Sequence, residues 1–83
     1  MRSLDCHKLT VDEMLSLVDK ELDTSLVNDE HGLIIVHGLG TFKLRDALQS
    51  YLASSFYVKS FREGNMWEGG LGATVVELDL GDF

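Results

Sequence analysis

Hydrophobic and polar residues recur with two different periods along the chain, and these periods predict two helices and four strands. A helical period covers residues 11–27 behind the capping box Thr10–Glu13. A second helical stripe, with Thr41 as the expected N-cap, ends near residue 53. Apolar runs and alternation predict strands at residues 3–7, 33–36, 57–62 and 74–80. The predicted order is therefore β-α-β-α-β-β, an α/β chain.

The first two predicted strands are joined by a helix, so they are expected to run parallel and to end at the same edge of the sheet. His7 ends the first strand and His37 ends the second, which brings two histidines distant in sequence to that edge. Asp5 is expected to share a strand face with His7 and to orient its imidazole, the alternative being a surface Asp–His pair. His31 opens the second strand and is interpreted as a turn residue at the opposite edge.

The segment Gly38–Thr41 links the second strand to the second helix and is a candidate anion site. Glycines allow close approach of a ligand, and the unpaired amides at a helix start suit phosphate. A tight turn that needs positive φ explains the same glycines. Lys43 and Arg45 favour the anion site. Cations in the first turn of a helix interact unfavourably with its dipole, at a cost of roughly a few tenths of a kcal/mol each, and a bound anion would offset this cost.

Composition indicates one small globular domain. The chain has 83 residues, is 45% hydrophobic and 25% charged, and has no apolar run long enough for a membrane span. Its charged start lacks an apolar stretch, so no signal peptide is expected. One cysteine excludes an internal disulfide and favours a reducing, cytoplasmic location, with Cys6 expected in the core. Because the chain starts close to its first predicted strand and ends just after its last, we expect it to be a domain of a longer protein.

The charge distribution limits where an anionic ligand can bind. A net charge of −7 argues against nucleic-acid binding by the whole surface. Residues 31–62 carry a net +3 and residues 10–30 a net −6, so the ligand is expected to avoid the first helix, whose acidic residues are interpreted as a solvated face. Trp67, in a glycine-rich loop, is expected to fold down onto the sheet; stacking on a base is the alternative.

Three ordered motifs then point to a family. They are Leu4–Thr10, Ile34–Arg45, and Glu68–Leu78 preceded by Tyr57–Arg62. Together they resemble the Smr (small MutS-related) domains over residues 3–80, most closely the version that forms the C-terminal domain of the second bacterial MutS paralogue. The resemblance implies that residues 1–83 are a single Smr domain. It also implies an α+β two-layer sandwich with a four-stranded mixed sheet, similar to the C-terminal domain of translation initiation factor three.

The same resemblance implies nucleic-acid binding with endonuclease activity, as DNA nicking or as RNA cleavage, including messenger RNA at stalled or collided ribosomes. Family function is attributed to the D-x-H and H-G-x-G motifs, which here are Asp5, His7, His37, Gly38 and Gly40. Where the family has a glycine after its first histidine, this chain has lysine at position 8. That departure either weakens the first motif or adds a phosphate contact.

The leading hypothesis is an endonuclease in which Asp5, His7 and His37 are catalytic. The expected nucleic-acid contacts are Lys8, Gly38, Gly40, Thr41, Lys43, Arg45 and, more distantly, Arg62. RNA is favoured over DNA, because its 2′-hydroxyl serves as nucleophile without a metal, whereas DNA cleavage would call for a divalent ion. No other cofactor and no metal ligand is predicted.

Two other functions stay open at this point. One is a non-catalytic adaptor for nucleic acid or the ribosome, which the net charge of −7 and Lys8 favour. The other is a protein-interaction domain that uses an apolar patch. The isolated domain is expected to be a monomer that binds no membrane, and its parent protein a dimer.

Overall fold

The computed structural model describes residues 2–40 and 42–80 and has the predicted element order. The elements are β1 (Arg2–Asp5), α1 (Val11–Val27), β2 (Gly32–Val36), α2 (Lys43–Ala53), β3 (Val58–Glu63) and β4 (Ala73–Leu78). Two short 3₁₀ turns, Met66–Glu68 and Gly70–Gly72, precede β4. In the described part of the chain, neither α-helix has the length and apolar content to cross a bilayer.

The four strands form one mixed sheet in the order β1-β2-β4-β3. β1 and β2 are parallel, as predicted, with Asp5 opposite Val36 at their carboxyl ends. β4 is antiparallel to both β2 and β3. Alternate residues of β2, Leu33 and Ile35, join one core with the apolar faces of both helices, so both helices lie on the same side of the sheet. The α+β two-layer fold is therefore confirmed.

The two central strands differ in the burial of their helix-free faces. In β2, Leu33 and Ile35 are fully buried, whereas the intervening residue Ile34 is half-buried on the helix-free face. In β4, Val75 alternates with the core residue Val76 and is nevertheless buried. Because β4 lies between two strands, its helix-free face is more protected than its alternating sequence indicates.

The two helices begin in different ways. The predicted capping box of α1 is present: the Thr10 hydroxyl accepts the Glu13 amide at 3.2 Å, and the Glu13 carboxylate accepts the Thr10 amide at 2.9 Å. In α2, the N-cap position is taken by Phe42 (φ 61°), which provides no side-chain cap. Thr41, the expected cap, lies outside the described residues. The first-turn amides of α1 are thus partly satisfied by the helix itself, while no described residue provides a side-chain cap for α2.

Candidate functional site

A surface groove of about 720 Å³ lies at the edge of the sheet where β1 and β2 end. It is lined by the β1–α1 turn, the β2–α2 loop and the first turns of both helices. His7 and His37 both contribute to this lining, so the parallel pairing brings the two predicted segments together. The approach is close: a Cβ atom placed on Gly38 would lie 3.4 Å from the Cβ atom of His7.

His7 is held by Asp5 across a turn. The Asp5 carboxylate accepts the His7 backbone amide at 3.1 Å and lies 2.5 Å from Nδ1 of the ring. Because β1 ends at Asp5, the two residues do not share a strand face as expected; the carboxylate reaches around the turn instead. The hydrogen bond from His7 lowers the pKa of Asp5. Half of the His7 side chain is exposed, and Nε2 makes no hydrogen bond to any described residue.

His37 is only 4% exposed and has both ring nitrogens engaged. Its Nδ1 donates to the Gly38 carbonyl at 3.0 Å, since a carbonyl only accepts. Its Nε2 lies 2.9 Å from the Thr74 hydroxyl, which donates to it when the ring is neutral. Although His37 was expected as a second catalytic imidazole, the structure places it to tie the end of β2 to β4. Neither ring nitrogen is free for a ligand in this arrangement.

The glycines of the β2–α2 loop have separate roles. The amides of His37 and Gly38 both donate to the Gly72 carbonyl at 2.9 Å, so the Gly38 amide is not available to an anion as expected. Gly38 has φ 81°, a conformation that glycine adopts without strain. The amides of Leu39 and Gly40 make no hydrogen bond within the described residues. With the uncapped start of α2 they form an amide-rich wall, while Thr41 lies outside the described residues.

Two lysines on the groove are exposed and make no ion pair with any described residue. They are Lys8, in the β1–α1 turn, and Lys43, the first residue of α2. Lys8 has φ 70°, in the left-handed region where a residue with a Cβ atom is strained by roughly 1–2 kcal/mol. A glycine would adopt this conformation without strain, so the lysine at this position carries an energetic cost that a glycine would not. Such strain is often associated with functional sites.

The two arginines proposed from the sequence are engaged within the protein. Arg45 lines the groove, but its guanidinium lies 4.2 Å from the centre of the Phe42 ring and 3.2 Å from the Asp46 carboxylate. Arg62 does not line the groove. It donates two hydrogen bonds to Glu68, at 2.8 and 3.0 Å. Both arginines would have to leave these partners to contact phosphate, whereas the two lysines would not.

Glu68→Gln is expected to remove a pH-dependent contribution to stability. The hydrogen bonds from Arg62 lower the pKa of Glu68 from 4.5 to about 2. Because the folded-state pKa is depressed, this contribution is fully present above pH 4.5 and is lost as the pH falls toward 2. Thermal unfolding of both proteins across that range should show a stability gap that closes on acidification. Arg62→Met should show a stability difference that closes over the same pH range. A stability difference that does not depend on pH would show that the Arg62–Glu68 pair is not its cause.

Sequence reasoning missed part of the groove. The start of α1, including the N-cap Thr10 and Asp12, also lines it, while the expectation that an anionic ligand avoids the first helix stays a prediction. The short connection from His7 to Val11 was the available signal, since it forces the helix to start beside the strand end. Among residues 2–40 and 42–80, no three histidine, cysteine or acidic side chains converge to hold a metal ion.

This sheet order, with its two strand-end motifs facing one groove, defines a small α+β domain of a known class. The chain belongs to the Smr domain family, whose model matches residues 4–79. It is 43% identical over 76 residues to Endonuclease MutS2 of Caldanaerobacter subterraneus subsp. tengcongensis, covering 92% of this chain and 10% of that protein. Endonuclease MutS2 of Brevibacillus brevis is also 43% identical, over 75 residues. The chain spans about a tenth of the length of these relatives.

Solved structures confirm the family and the fold. The Smr domain of Thermus thermophilus MutS2 matches with a TM-score of 0.92 at 37% identity, covering 95% of this chain and 99% of that one. YdaL, a stand-alone small MutS-related protein from Escherichia coli, matches with a TM-score of 0.85 at 24% identity. That match covers 92% of this chain and 63% of YdaL, and it supports the fold alone.

Proposed function

We propose that the groove is the active site of an endonuclease that cleaves RNA by internal transesterification. One observation carries this proposal: a half-exposed imidazole, oriented by Asp5, faces the same groove as an amide-rich wall and two free lysines. Imidazole suits proton transfer near neutral pH, and the wall suits a phosphate. The MutS2 relatives are named endonucleases, which supports a nuclease-type module.

The scissile phosphate would be held by backbone rather than by side chains. The amides of Leu39 and Gly40, which bond to no described residue, and the start of α2 would bind its non-bridging oxygens. Lys8 and Lys43 would contact the flanking phosphates, because neither lysine forms an ion pair with an acidic residue of the described chain. The capped start of α1 would contribute less, since its capping box already satisfies part of its first turn.

His7 would act as the general base. Asp5 accepts a hydrogen bond from the protonated Nδ1. The unprotonated Nε2 then has a lone pair that can take the proton of the 2′-hydroxyl. The 2′-oxygen attacks phosphorus, the bond to the 5′-oxygen breaks, and this leaving oxygen takes a proton from water. The hydroxide that remains takes the proton from the His7 imidazolium, which restores the neutral base. The products are a 2′,3′-cyclic phosphate and a 5′-hydroxyl. The lowered pKa of Asp5 keeps its carboxylate ionised, and this negative charge stabilises the imidazolium that forms.

The direct test is cleavage of matched oligonucleotides by the 83-residue chain. RNA should be cut to products with a 2′,3′-cyclic phosphate, whereas DNA of the same sequence and RNA methylated at every 2′-oxygen should resist. Cleavage of the DNA at a comparable rate would overturn the transesterification mechanism, because DNA lacks the internal nucleophile.

A non-catalytic adaptor is the second candidate, and the engagement of His37 favours it. With both nitrogens of His37 bonded, the groove presents a single free imidazole, while its amides and lysines remain suited to phosphate. An adaptor of this kind would bind RNA, including ribosomal RNA, without cutting it. Submicromolar RNA binding with no cyclic-phosphate product would establish the adaptor and exclude the nuclease.

Lys8→Gly is expected to separate the roles of the Lys8 backbone and charge. Stability should rise by about 0.5–1 kcal/mol, because relief of left-handed strain outweighs the greater flexibility of glycine in the unfolded chain. RNA affinity should fall, and the slope of log K against log salt should decrease by about 0.7, the value for one single-strand phosphate contact. Urea denaturation and salt titrations of RNA binding measure the two effects.

Two control variants complete this test. Lys8→Ala removes the charge but keeps a Cβ atom at φ 70°, so it should lose affinity without gaining stability. Lys20→Ala removes an exposed charge of α1 that does not line the groove, and it should leave the salt slope unchanged. Equal salt slopes for Lys8→Gly and the unmodified chain would mean that Lys8 does not contact phosphate.

A further inference from the structure

Trp67 is the most exposed large side chain near the groove loops. Its side chain is 89% exposed and that of the adjacent Met66 is 81% exposed, so the tryptophan does not fold down onto the sheet as expected. A tryptophan in this position adds almost no apolar burial to the fold. Stability therefore does not explain its placement.

The turn that carries Trp67 is well fixed by hydrogen bonds. The Asn65 side chain accepts the Trp67 amide at 2.9 Å, and the Glu68 carboxylate accepts the Asn65 amide at 2.8 Å. The Gly70 amide donates to the Asn65 carbonyl at 2.8 Å, and Arg62 anchors Glu68 from β3. The indole is thus presented to solvent by an ordered backbone, which reduces the entropy lost when a ligand binds.

The same loop is joined to the groove. Its last residue, Gly72, accepts the amides of His37 and Gly38, which lie at the end of β2. A Cβ atom on Gly72 would lie 3.8 Å from Cγ of Leu39. Leu39 and Leu71 are both more than half exposed. The end of the loop is therefore tied to the β2–α2 loop, and Trp67 lies on a loop that reaches the same edge of the sheet as the groove.

We propose that Trp67 stacks on an unpaired base of the strand whose backbone occupies the groove. This inference rests on the proposed function and narrows its substrate to single-stranded or locally unpaired RNA. Bases inside a duplex are already stacked on each other, whereas an exposed aromatic ring binds the face of an unpaired base. Arg62 neutralises Glu68 next to the indole, so the nearby carboxylate does not repel the RNA strand.

A nucleobase fits this surface better than a protein partner does. The apolar side chains Met66 and Trp67 are adjacent, and Glu68, Gly69 and Gly70 separate them from Leu71. They provide room for a single planar group, whereas a stable protein interface buries roughly 800 Å² on each side. The neighbouring lysine-flanked groove also has the charge that a nucleic-acid backbone requires.

Fluorescence tests the proposal directly, because Trp67 is the single tryptophan of the chain. Titration with a single-stranded RNA oligonucleotide should quench the emission as a base stacks on the indole. A blunt duplex of the same sequence and an abasic oligonucleotide of the same length should bind with little quenching. Equal quenching by the abasic oligonucleotide would overturn the proposal, because that ligand has no base to stack.

Variants give a second, independent test. Trp67→Ala should weaken binding of the single strand by about 5- to 150-fold and leave duplex binding nearly unchanged. Trp67→Phe should recover most of the affinity. Phe56→Ala is the matched control, since Phe56 is 92% exposed but lies before β3, at the opposite edge of the sheet. An equal loss for single strand and duplex would contradict base stacking.

This design distinguishes failure of the inference from failure of the proposed function. If Lys8→Ala and Lys43→Ala weaken RNA binding while Trp67→Ala does not, the groove binds RNA and the stacking role is wrong. If neither the lysine variants nor Trp67→Ala weakens binding, the groove itself is not the RNA site and both proposals are wrong.

Discussion

Replacing His7 with alanine is expected to reduce RNA cleavage by about 10²- to 10⁴-fold, the usual contribution of a general base. The fold should be unaffected, because half of the side chain is exposed and it contributes nothing to the described core. RNA affinity should change little, since the amide wall and the lysines are untouched. Single-turnover cleavage, with the protein in excess over both the RNA and the dissociation constant, measures the chemical step apart from binding.

His31→Ala is the matched control for this experiment. His31 is an exposed histidine that precedes β2, at the edge of the sheet opposite the groove, so its removal should leave cleavage unchanged. Asp5→Asn should reduce cleavage less than His7→Ala does, because it removes only the group that orients the ring. Equal cleavage by His7→Ala and the unmodified chain would leave the nuclease proposal without its base and favour the adaptor.

Replacing His37 with alanine is expected to destabilise the fold by about 2–4 kcal/mol. The substitution leaves a cavity beneath the β2–α2 loop and removes the partner of the fully buried Thr74 hydroxyl. For a domain whose total stability is of the order of 5–15 kcal/mol, this is a large fraction. Urea denaturation followed by circular dichroism measures the loss.

Thr74→Val separates the hydrogen bond from the cavity. It keeps the shape of the side chain but leaves the Nε2 atom of His37 without its partner, so a loss of about 1–3 kcal/mol is expected. The stability loss of the double variant should be smaller than the sum of the two single losses, because both residues share one interaction. If His37→Ala were as stable as the unmodified chain yet inactive, His37 would act in the chemistry rather than in positioning.

The starts of α1 and α2 differ in charge and capping, so the two sides of the groove are not equally suited to bind an anion. Both starts line the groove, yet α1 carries its own capping box and two acidic residues in its first turn. In α2, no described residue provides a side-chain cap, the first position is a lysine, and Asp46 is the one acidic residue of the first turn. A phosphate would therefore bind closer to α2 than to α1. Asp12 on the opposite wall would limit how far a second phosphate could approach.

Much of the site could be predicted because it depends on local sequence and chain direction. The capping box of α1, the apolar run of β2 and the crossover between β1 and β2 are sufficient to bring two histidine motifs to one edge. The Asn65–Glu68 segment has the pattern of a capping box as well, and this was the available signal that Trp67 lies on an ordered turn.

The sequence alone therefore determined the elements, their order, the family and the edge at which the candidate groove lies, because these follow from periodicity, capping and motif spacing. Only the tertiary structure decided which imidazole is free. Thr74 and Gly72 come from the far end of the chain, and they engage the ring and amide of His37 because β4 pairs antiparallel with β2. Such contacts depend on strand pairing between distant segments, which no local pattern encodes.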